Sequence, residues 1–83
     1  MGKDYLNPEW DLVDAKEYAE QTINGKLAFA AVYAVKNGIK DENAKVHIYR
    51  KELIRLFQKV HKAKNKDEIN ETLADVDGLE GYK

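Results

Sequence analysis

Apolar residues recur at three- and four-residue spacing through most of this 83-residue chain, the period of amphipathic helices rather than of strands. The first run is Leu12, Ala15, Ala19 and Ile23. Asn7 precedes the single proline, Pro8. Asn caps helices well, and proline suits the first helical position, where its missing N–H costs nothing. Glu9 and Asp11 favour the positive helix start. The pattern predicts a first helix over residues 8–23. Half of its core stripe is alanine, which lets a neighbouring helix approach closely.

Asn24-Gly25 interrupts the pattern as a turn, a cap or a kink. Residues 26–35 then form a nearly continuous apolar run. Its alanines (Ala28, Ala30, Ala31, Ala34) favour helix over strand, and no second strand-like run exists to pair with it. Apolar nearly all round, this segment is expected to be a buried central helix. Asn37-Gly38-Ile39 should end it, with Gly38 left-handed and Ile39 packing back.

Asp41 is the expected cap of a third helix reaching Ala63. Its core face is Val46, Tyr49, Leu53, Leu56, Phe57 and Val60, the clearest amphipathic signal in the chain. Asn65 with Glu68 forms an Asn-led capping box. A short fourth helix then runs to Val76, with Ile69, Leu73 and Val76 inward, until Asp77-Gly78 stops it. The expected fold class is all-α: a small bundle of three main helices plus a short C-terminal helix, with antiparallel neighbours. Residues 1–83 form one domain, frayed at 1–6 and 78–83. So small a core makes a homodimer an open expectation.

Composition removes much chemistry. The sequence holds no cysteine and no serine, so disulfides, thiol nucleophiles and a Ser-His-Asp triad are excluded. No apolar segment follows the charged start, and the longest apolar run is too short to cross a membrane. The expectation is a cytoplasmic protein without membrane contact. Lysine outnumbers arginine heavily, which suits an AT-rich bacterial or phage source.

His47 and His61 are 14 residues apart on one predicted helix, about 21 Å by helical rise. One metal cannot hold both. Asp75-Val76-Asp77-Gly78 fails as a calcium loop because the required glutamate would fall beyond the last residue. The glycines are too scattered for a phosphate loop. Paired carboxylates at helical spacing (Glu17 with Glu20; Asp67, Glu68 and Glu71) have ordinary capping and surface roles. The expectation is therefore a non-enzyme with no cofactor and no metal.

The net charge of −1 conceals a strong pattern. Residues 1–20 sum to −4, 21–44 to +1, 45–66 to +7 and 67–80 to −6, with Lys83 completing the total. Lys51, Arg55, Lys59, Lys62 and Lys66 fall on one helical stripe opposite the core face, and Ile48 lies among them. Such a stripe is either a solvated face balanced by acidic neighbouring helices, or a contact for nucleic acid or an acidic protein. A nucleic-acid binder is usually basic throughout, and this chain has a pI near 6.1. Asp41 and Glu42, at the start of any reading helix after the Asn37–Asp41 turn, would also meet phosphates unfavourably.

Trp10 and Val13 point away from the Leu12–Ala19 stripe. Tyr5 and Leu6 either fold over Trp10 as a staple-like cluster, or join Trp10 and Val13 in an exposed interface patch. The functional expectation is a small helical interaction or regulatory protein, of a phage- or plasmid-accessory type. It would bind another protein or itself. The alternative is a DNA- or RNA-binding protein using the basic face of helix 41–63.

Overall fold

The computed structural model describes residues 4–82. They form three helices, with no strand among the described residues. Helix α1 spans Leu12–Lys36, α2 Lys45–Lys62 and α3 Lys66–Asp77.

The first two predicted helices are one. Helix α1 runs through Asn24 and Gly25 without a break, because the core stripe never loses its period. Buried Ala15, Ala19 and Ile23 continue into half-buried Leu27 and buried Ala30 and Ala34. One interior glycine costs about 1 kcal/mol of helix propensity, less than the burial at stake on either side.

The helix also starts later than expected. Asp11, not Asn7, is the cap, and its carboxylate accepts the Asp14 N–H at 2.9 Å. Asn7 instead closes a turn ahead of the helix, accepting the Glu9 N–H on its side chain and the Trp10 N–H on its carbonyl. The C-terminal end follows the sequence closely. Gly38 has φ +61°, and the amides of Gly38 and Ile39 donate to the Val35 and Ala34 carbonyls. This is the paired pattern of a Schellman ending.

Asp41 does not cap α2. Its side chain accepts the Asn43 N–H, and its carbonyl accepts the Ala44 N–H, so it shapes the approach turn. The cap position falls to Ala44, which has no side-chain acceptor. Helix α3 begins on Asn65, whose side chain accepts the Glu68 N–H at 3.0 Å, while Glu68 reaches back to the Lys64 N–H at 2.8 Å. This helix fills the place expected of a fourth.

The core has two parts. In the larger, Ala15, Ala19 and Ile23 of α1 meet Leu53, Leu56 and Val60 of α2 and Ile69, Leu73 and Val76 of α3. The smaller joins Ala30 and Ala34 to Val46. Described residues near both ends pack on the helices where fraying was expected. Leu6 is buried, the Tyr5 N–H donates to Asn70 Oδ1 at 2.7 Å, and Leu79 packs on the core. The Tyr82 ring lies 5.0 Å from that of Tyr33 and 4.9 Å from that of Tyr49. For residues 1–3 and 83 the expected fraying lies outside the described residues.

Candidate functional site

The apolar segment expected at the centre of the protein is half outside it. Ala30 and Ala34 are buried, but Phe29 is 76% exposed, Val32 62% and Val35 83%. Helix α1 has neighbours on one side only. Helix α3 covers its N-terminal half, and Val46 and Tyr49 of α2, with Tyr82, pack on the same side of its C-terminal half. Side chains at the 29, 32 and 35 positions, pointing away from Ala30 and Ala34, therefore find no partner within the described chain. Three large apolar groups on successive turns of one face are a contiguous patch of the kind that marks an interaction site.

The N-terminal patch resolves differently. Leu6 is buried, and Tyr5 and Trp10 are half-buried against the main core. Trp10 also packs against Tyr18 in a tilted arrangement, with ring centroids 5.0 Å apart. Tyr5, Leu6 and Trp10 thus belong to the main core cluster rather than to an exposed patch. Val13 alone of the four is largely exposed, at 70%.

The basic face is split. Ile48, Lys51, Arg55, Lys59 and Lys62 are exposed on α2, joined by exposed Ile54. Lys66 lies beyond the helix break, as the first residue of α3. Its ammonium donates to the Asn7 and Pro8 carbonyls at 3.4 and 3.2 Å, tying the N-terminal turn to α3. Arg55 pairs with Glu52 on its own helix at 2.9 Å, an exposed pair of small energetic consequence. Among the described residues, Lys51, Lys59 and Lys62 have no carboxylate within 4.0 Å. The acidic segments do not neutralise this face by direct pairing.

The two histidines are occupied separately. His47 Nε2–H donates to the Ile39 carbonyl at 2.9 Å, and Arg50 donates to His47 Nδ1 at 3.4 Å. His61 lines an open groove with Glu17 and Glu20, its Nδ1 3.7 Å from Glu20 Oε2. The contact is an ion pair only when the imidazole is protonated. Lys16 Nζ donates to the His61 carbonyl at 3.1 Å, which fixes the backbone of the groove. The His61 side chain is 75% exposed at the edge of this groove.

No known protein family, curated protein or solved structure matches this chain. No helix among the described residues is long and apolar enough to cross a membrane. The outer face of α1 is the feature that burial alone does not explain. The sequence reading missed Phe29, Val32 and Val35 because an apolar run was equated with a buried one. The corrective signal was the width of the run: three helices leave too few neighbours to enclose every side of it.

Proposed function

We propose that this chain is a non-enzymatic helical interaction protein whose docking surface is the outer face of α1. The exposure of Phe29, Val32 and Val35 carries this reading. Desolvating those side chains against a partner supplies the driving force, and the charged residues at either end of the face supply orientation. The absence of cysteine and serine from the sequence and the exposed setting of His61 favour binding over catalysis. A cytoplasmic setting belongs to this proposal, in keeping with a 35% charged composition.

The test is affinity capture with the wild-type chain and with Val32→Glu, whose fold circular dichroism verifies. The reading expects a bound protein, or a second copy of the chain, that the variant loses. Binding that ignores Val32 overturns it.

A second reading is nucleic-acid binding by the outer face of α2, favoured by the unpaired Lys51, Lys59 and Lys62. Fluorescence anisotropy across a salt series decides it. Affinity falling steeply with salt and lost in Lys51→Glu/Lys59→Glu supports it; no binding at low salt removes it.

A further inference from the structure

The outer face of α1 carries a second periodicity. Asp14, Tyr18, Gln21, Gly25, Ala28, Val32 and Val35 succeed one another at alternating spacings of four and three, and all are exposed. This is the 3.5-residue repeat of a helix–helix seam. Its chemistry is graded along the helix. Asp14 and Glu17 lie at the N-terminal end, the apolar group including Phe29 follows, and Lys36 lies at the C-terminal end.

A face acidic at one end and basic at the other is complementary to itself in one orientation. Two copies aligned in parallel oppose like charges, whereas two copies aligned antiparallel oppose Asp14 to Lys36 at both ends. Within one chain these residues are 22 positions apart, about 33 Å along the helix, so they cannot satisfy one another. Setting Asp14 of one copy against Lys36 of the other brings Gly25, midway between them, against itself. Val32 then faces Tyr18, whose ring is already held by Trp10, and Phe29 faces Gln21.

Gly25 is otherwise unexplained. It weakens the interior of the longest helix, and a Cβ added there would meet nothing within 4 Å. Close approach of a second backbone is a use for a residue without a side chain.

We infer that α1 pairs antiparallel with α1 of a second copy of this chain, with the two-fold axis beside Gly25. This rests on the docking face proposed above and names its occupant. The two basic α2 faces are no part of the contact.

Sedimentation of the full chain over a concentration series tests it. The wild-type mass rises from 9.5 kDa towards twice that value. Lys36→Glu and Asp14→Lys each raise the dimer dissociation constant roughly tenfold, because each change acts at both ends of the pair; combined, they restore it. Gly25→Leu abolishes the dimer while circular dichroism shows an intact or increased helix content, since leucine is the better helix former. A mass of 9.5 kDa at every concentration overturns the inference, as does a dimer indifferent to Gly25→Leu and to charge reversal. If the chain is monomeric and captures another protein through Val32, self-pairing fails and the docking face stands. If it is monomeric and no binding depends on Val32, both fail.

Discussion

The backbone N–H of Tyr5 donates to the side-chain carbonyl of Asn70 at 2.7 Å, across 65 positions of sequence. The segment before α1 is thereby part of the folded unit, held on α3 with buried Leu6 beside it. Asn70→Ala leaves a half-buried donor without this acceptor. The expected loss is about 1 kcal/mol, read from the urea midpoint of unfolding. An unchanged midpoint would mean that this hydrogen bond contributes nothing to stability.

Leu53 and Phe29 test where the core is. Leu53 is fully buried between the helices, so Leu53→Ala should cost about 2–5 kcal/mol. Phe29→Ala, at a larger side chain, should change the stability of the dilute chain by less than about 0.5 kcal/mol. Chemical denaturation at low protein concentration compares the two. Equal losses would place Phe29 in the core and remove the docking face.

Both expectations show where the sequence was legible. The stripe from Val46 to Val60 and the Asn65 start of α3 could be read directly, because each rests on local periodicity or local hydrogen bonding. Gly38 could be read for the same reason: a left-handed ending is a property of a few consecutive residues. Gly25 and Phe29 could not. Whether a glycine stops a helix depends on whether the stripe beyond it finds a partner, and exposure of an apolar run depends on how many neighbours surround it. Of the four residues of the anticipated N-terminal patch, the structure leaves Val13 largely exposed, and Lys66 leaves the basic stripe because α2 ends at Lys62.

Gly25→Ala should stabilise the dilute chain by about 0.5–1 kcal/mol, the ordinary difference between these residues inside a helix. Nothing within 4 Å obstructs the added methyl group. Thermal unfolding at low concentration measures this. A loss of stability would mean that the helix bends or packs at this position.

The fold holds two tyrosines neutral beyond their ordinary range. Burial raises the Tyr5 pKa above its ordinary 10.0, helped by the hydrogen bond its hydroxyl donates to Asp77 and by that carboxylate's charge. Burial also raises the Tyr49 pKa, with a further contribution from the charge of Tyr82. In both cases the fold favours the neutral form. Their contribution to stability is complete below the unfolded value of 10.0 and is lost as pH rises through the higher folded values. Ultraviolet titration should show a late-ionising fraction that shrinks in Tyr5→Phe and again in Tyr49→Phe. If neither variant changes that fraction, these tyrosines are not held neutral by the fold.

The antiparallel pairing of α1 is tested most directly by cross-linking. The sequence contains no cysteine, so a single introduced thiol reports one position. At a two-fold axis beside residue 25, Gly25→Cys places two thiols within the Cα separation of roughly 4–7 Å that a disulfide spans. In the same arrangement Val35→Cys places them about 30 Å apart along the helix pair. Mild oxidation should convert Gly25→Cys to a covalent dimer and leave Val35→Cys monomeric on a non-reducing gel. Cross-linking of both would indicate a parallel pair, and cross-linking of neither would contradict the pairing altogether.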